Sequence, residues 1–203
     1  MMIIYKKNIE IIKKKFSDYQ NITIFGKGAT FKNIPKEEKE LRCAINQASN
    51  FLDDVDLICM NDLHNVYKIE DRVYNNLKYL IIPEYLHINQ SYSKKGHWKK
   101  VEEYLKKKFN GYLIIYNLKT APRQNPEFIN LYTGFSSANN CFEFFSIYSN
   151  LKLINLYGIG IYSKSNYHEN FIGNGIYGPN RIFKIKNNII QLAEKYEIKV
   201  YFN

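Results

Sequence analysis

Seven short stretches are apolar along most of their length, with no strict alternation of polar residues. They are "ITIF" (22–25), "LRCAIN" (41–46), "VDLICM" (55–60), "YLIIP" (79–83), "GYLIIYNL" (111–118), "LKLINLYGIGIY" (151–162) and "IKVYF" (198–202). A strand with one face in water alternates, whereas a strand covered on both faces need not. Between these stretches lie segments of helical spacing. Trp98, Val101, Leu105 and Phe109 repeat along 97–109 with charges between them, "SSANNCFEFFSIYSN" (136–150) starts on a capping Ser, and a last helix is expected over about 181–196. Strands covered on both faces and separated by helices give an α/β fold. The expectation is one Rossmann-like, doubly wound, mostly parallel sheet of about seven strands, in a single domain over 1–203. An N-terminal amphipathic helix is expected within residues 1–19, with Ile4, Ile9, Ile11, Ile12 and Phe16 on its stripe. The Gly- and Asn-rich stretch 163–180 reads as a loop.

A chain of 203 residues can bury one sizeable core. Its net charge of +10 raises the question of nucleic acid. The 29 basic residues, however, comprise 25 Lys and only 4 Arg, beside 25 Asn. That bias is what an AT-rich genome writes, and base readout leans on Arg. No nucleic-acid partner is expected. Attraction to an anionic substrate or an anionic membrane surface fits the charge better. Cys43, Cys59 and Cys141 are odd in number and sit in apolar segments, so buried free thiols are expected, as in a reducing, cytoplasmic compartment. The longest apolar run near the start, four residues, is too short for a signal peptide or a membrane span.

Ligands of doubly wound sheets bind beyond the carboxyl ends of the strands. Those ends carry Gly26, Lys27 and Gly28 after the first stretch, Asn46 after the second, Asn61 after the third, and Gly158 to Tyr162 at the sixth. A glycine pair after a strand lets backbone approach a ligand, but "GKGAT" lacks the third glycine of a dinucleotide fingerprint and the Lys position of a P-loop. It fits a tight turn as well as a ligand site. Ser136 and Ser137 fall at a helix start, where hydroxyls and free amides favour an anion and also serve as plain caps. His64, His87 and His97 lack metal-ligand spacing and read as surface residues. His168 follows Tyr162 and Tyr167 in the glycine-rich loop, where an imidazole can act as a general base and tyrosine hydroxyls can stabilise a leaving phosphate.

In order, "IFGKGATFKNI", "LRCAINQ", "TGFSSANN", "NLYGIGIY", "YHENFIG" and "KYEIKVYF" resemble the motifs of glycosyltransferase family 42, the bacterial CMP-sialic-acid-dependent sialyltransferases of the Campylobacter type. The resemblance implies a sialyltransferase-like fold and a transferase that moves sialic acid or a related acid from a CMP-sugar to a glycan acceptor. It also implies inverting, metal-independent chemistry, with no cofactor beyond the donor substrate. By the same resemblance Gly26, Lys27, Gly28, Asn46, Asn61, Ser136, Ser137 and Gly158 would line the nucleotide site, with Lys27 standing where the family has Asn. Tyr162 would donate to the CMP phosphate, beside Tyr167, and His168 would be the general base. The family carries a long excursion over the donor where only five residues separate Tyr162 from His168 here. A donor lid is therefore expected to be largely missing, with 86–100 as its substitute, and a nucleotide-binding protein without turnover stays open as the alternative. Peripheral contact with an anionic membrane and homo-oligomerisation also stay open.

Overall fold

The computed structural model describes residues 1–84, 96–118, 125–131, 136–159 and 179–203. Among the described residues nine strands form one sheet: β1 (Met2–Ile4), β2 (Asn21–Phe25), β3 (Glu40–Ile45), β4 (Leu57–Cys59), β5 (Tyr79–Pro83), β6 (Tyr112–Leu118), β7 (Ile129–Leu131), β8 (Leu153–Tyr157) and β9 (Lys199–Phe202). Their order is β1-β6-β5-β4-β3-β2-β8-β9, with β7 also paired to β6 beyond β1. All pairings between these strands are parallel.

Such a sheet must be covered on both faces, and two apolar layers do this. On one face Ile22, Ile24, Leu41, Cys43, Ile114 and Ile154 meet helices α1 (Glu10–Phe16), α4 (Ser137–Tyr148) and α5 (Pro179–Lys195), through side chains such as Phe16, Phe145 and Ile189. On the other, Phe25, Ala44, Ile58, Leu80 and Ile115 meet α2 (Asp71–Asn76), α3 (Gly96–Lys108) and the two 3-10 segments Asn46–Phe51 and Leu63–Lys68. The expected α/β architecture with a parallel sheet is therefore present.

Two expectations need correction. Residues 3–19 are not one helix: β1 is followed by a 3-10 turn, Lys6–Asn8, and by α1 of only seven residues. The β-branched Ile3 and Ile4 lie against Leu113 and Ile114, and the Met2 amide donates to the Gly111 carbonyl at 2.9 Å. Sheet pairing thus overrides the weak helical stripe. Ile11, expected on the buried stripe, is exposed. The sheet also has nine strands rather than about seven, because β1 and β7 are three-residue edge strands.

From β2 the chain steps outward through β3, β4, β5 and β6, then returns across the sheet to place β8 on the other side of β2. The connections leaving β2 and β8 therefore diverge at their carboxyl ends. That topological switch point is where an open α/β sheet forms its ligand crevice.

Candidate ligand site at the carboxyl edge of the sheet

The glycine turn follows β2 at this switch point, and its first task is structural. The Gly26 amide donates to the Tyr157 carbonyl at 2.8 Å and the Gly28 amide to the Gly158 carbonyl at 2.6 Å. A Cβ on Gly158 would lie 2.5 Å from the Gly26 carbonyl oxygen, and one on Gly26 would collide with the Gly158 carbonyl. Gly158 also has φ +62, which glycine adopts without strain. Its amide donates to the Thr30 hydroxyl at 3.1 Å, and that hydroxyl donates to the Asn203 carbonyl at 2.7 Å. Two backbones interlock here, and only glycine permits the approach. No helix follows the turn: the chain from 26 to 39 crosses the sheet without helical structure and carries Phe31 into the second apolar layer.

With the amides of Gly26, Gly28 and Gly158 engaged, the turn presents the side chain of Lys27. Its ammonium donates to Gln47 Oε1 at 3.3 Å. Partial burial lowers its pKa, the Lys68 charge lowers it further, and Asp62 opposes both. Gln47 Nε2 donates to Asn65 Oδ1 at 2.9 Å, Asn65 Nδ2 donates to Asn46 Oδ1 at 3.2 Å, and Asn46 Nδ2 reaches Ser137 Oγ at 3.5 Å. One polar chain thus links the ends of β2 and β3, the 3-10 segment beyond β4 and the first turn of α4. Asn46 holds φ +52, a left-handed conformation that Asn tolerates better than most residues. Its carbonyl accepts from the Ser49 hydroxyl at 3.0 Å, which fixes that conformation locally.

Asn61 and Ser136 fill positions that are at least in part structural. Asn61 Oδ1 accepts from Asn140 Nδ2 at 2.8 Å and from the Tyr116 hydroxyl at 3.0 Å, which ties α4 to β4 and β6. Ser136 is the N-cap of α4: its hydroxyl accepts from the Asn139 amide at 3.2 Å and donates to Asn139 Oδ1 at 2.7 Å. Asn139 Nδ2 in turn donates to the Ile185 carbonyl at 3.1 Å on α5. The capping role weighed for Ser136 is the one its geometry displays.

The structure therefore brings Lys27, Asn46 and Ser137 into one network and places Gly26, Gly28 and Gly158 against one another, while Asn61 and Ser136 make separate contacts with α4. Tyr162, Tyr167 and His168 lie outside the described residues, as do 86–95 of the expected lid substitute; 96–100 form the start of α3. His64 is exposed. Gln47, Asn65, Tyr116 and Asn140 were not anticipated. The available signal was their spacing: Gln47 adjoins a strand end and Asn65 lies four residues past Asn61. Glu84, immediately after β5, was missed as well, and burial raises its carboxyl pKa against the opposing Asn125 amide.

Cys43, Cys59 and Cys141 are free and buried, with Cys43 and Cys141 sulfurs 3.2 Å apart, and burial first among the causes raises all three pKa values. A thiol held neutral is a poor nucleophile. Among the described residues no group of three or more His, Cys, Asp or Glu side chains is placed to hold a metal ion. No described helix is long and apolar enough to cross a membrane. Compared with protein-family models, curated proteins and solved structures, the chain gives no match.

Proposed function

We propose that the chain binds a CMP-sugar at the carboxyl edge of the sheet, beside the ends of β2 and β3, and transfers the sugar, sialic acid or a related acid, to a glycan acceptor. The observation that carries this reading is the hydrogen-bonded chain that starts at Lys27, after β2, and runs through Gln47, Asn65 and Asn46 past the ends of β3 and β4 to Ser137. Three positions that the resemblance assigns to a nucleotide site meet there, drawn from three separate parts of the sequence. In the reaction, His168 takes the proton of the acceptor hydroxyl as that oxygen bonds to the anomeric carbon from the face opposite the nucleotide. The bond from that carbon to the phosphate oxygen breaks, and CMP leaves with the electron pair. Tyr162 and Tyr167 supply hydroxyl donors to the leaving phosphate. General-base assistance of this kind is worth about 10²- to 10⁴-fold in rate.

A second reading, nucleotide binding without turnover, is favoured by the five-residue interval between Tyr162 and His168, too short for a lid that excludes water. Both readings require cytidine nucleotide to bind. Ligand at about a hundred times its Kd adds about 2.7 kcal/mol to native stability, or roughly 5–10 °C in Tm for a domain of this size. A thermal melt with millimolar CMP should show that shift, with smaller ones for ATP and NAD; a shift with ATP or NAD and none with CMP removes both readings. CMP release from a CMP-sugar, lost in His168→Ala while the CMP shift remains, selects the transferase. A CMP shift with no release in the wild type selects the binding protein.

A further inference from the structure

We propose that Cys43 and Cys141 form a redox pair: hydrogen peroxide joins them in a disulfide that ties β3 to α4 beneath the carboxyl edge, and a thiol reductant releases them.

The pair joins two layers of the fold. Cys43 lies in β3 on the face that α4 covers, and Cys141 lies in α4, one turn beyond Ser137. They are 98 positions apart in the chain, yet their sulfurs stand at 3.2 Å. A disulfide bond is about 2.05 Å long, so the sulfurs must close by roughly 1 Å. That movement reaches the edge. Ser137 Oγ accepts from Asn46 Nδ2 at 3.5 Å, the outer limit of a hydrogen bond, and Asn46 lies three residues past Cys43. Drawing α4 onto β3 alters this link. Cys59 touches Cys141 as well, but its thiol donates to the Ser137 carbonyl at 3.9 Å.

Burial keeps the resting thiols protonated and slow to react, so the oxidant must be small and uncharged, as hydrogen peroxide is. Cys43 is the first to ionise, because the hydrogen bond from Cys141 works against the effect of burial there, whereas the same bond adds to it at Cys141. The Cys43 thiolate attacks one peroxide oxygen, the O–O bond breaks, and the departing hydroxide takes up the proton that Cys43 released. The Cys141 sulfur then attacks the sulfur of the resulting sulfenic acid, and its proton leaves with the sulfenic hydroxyl as water. Two thiols have lost two protons and two electrons, and peroxide has become two waters.

Intact-mass measurement of the native protein before and after peroxide, with peptide mapping under non-reducing conditions, tests this. The wild type should lose the mass of two hydrogens, regain it with dithiothreitol, and yield peptides joined through Cys43 and Cys141. Cys43→Ala and Cys141→Ala should each abolish the loss, and Cys59→Ala should keep it; the wild-type map decides even where an alanine variant fails to fold. Amide exchange at 43–46 and 137–141 should be slower in the oxidised protein than in the reduced one. No mass loss in the native protein, loss only after unfolding in urea, a joined pair that includes Cys59, or a disulfide that leaves exchange at both segments unchanged overturns the inference. Every readout is made without nucleotide, so the inference and the nucleotide reading fail separately.

Discussion

Asp56 shows how much of this fold hangs on single long-range contacts. It stands just before β4, its side chain 4% exposed, and accepts from Lys36 Nζ at 2.6 Å, Lys78 Nζ at 2.8 Å and the Arg42 amide at 3.1 Å. Burial alone is the largest influence and would raise its pKa. The hydrogen bonds from Lys36, Lys78 and Arg42 together outweigh it and hold the carboxyl below its ordinary value. A depressed carboxylate contributes stability above the unfolded pKa, and that contribution is lost as pH falls through the folded one. Breaking a buried ion pair costs about 3–5 kcal/mol, but both lysines reach water and can be resolvated, so Asp56→Asn should cost about 2 kcal/mol at pH 7. Urea unfolding should show that gap shrinking below about pH 4; a gap unchanged down to pH 2 would rule out the electrostatic account. The sequence displays Asp56 only as a polar residue inside the strand-like stretch 55–60. Lys36 and Lys78 lie 20 and 22 positions away, a separation that no local pattern encodes.

At the scale of elements, α4 holds the carboxyl edge together. Its cap Ser136 organises Asn139, which reaches α5, and Asn140 reaches Asn61 and the Tyr116 hydroxyl. Losing an N-cap side chain costs about 1 kcal/mol, up to about 2 where the helix start is well packed. Ser136→Ala should therefore lower stability by that amount in denaturant unfolding, and Ser136→Asp should restore most of it. A loss above about 3 kcal/mol, or no rescue by Asp, would mean that the hydroxyl does more than cap. This helix, together with α3, α5 and strands β2 to β6, β8 and β9, was legible because each lies in an apolar run or an apolar repeat several residues long, as three-residue β4 lies in the run 55–60. The misread parts are the short ones. β1 and β7 have three residues each, α2 has six, and the 3-10 segments follow no apolar repeat. Of the site, the strand-end positions were legible from the α/β topology alone. The use of the glycines was not, because whether their amides face a ligand or another backbone depends on β8, more than 120 residues downstream of the turn.

For the whole molecule, the charge of +10 is partly explained by architecture. Lys13, Lys14 and Lys15 lie in the last turn of α1, and Lys106, Lys107 and Lys108 in the last turn of α3, where cations complement the helix dipole. What remains specific is the topology, which carries the ends of β2, β3 and β8 and the start of α4 to one edge of one sheet. On the function proposed above, this edge binds cytidine nucleotide as a unit. Amide hydrogen exchange with and without saturating CMP tests it most directly, since local opening falls wherever ligand is held. Slowed exchange is expected in peptides covering 26–30, 46–50, 137–140 and 157–159 together, with little change at the amino-terminal ends of the same strands. Protection confined to one of those segments, or found instead at the opposite edge of the sheet, would contradict it.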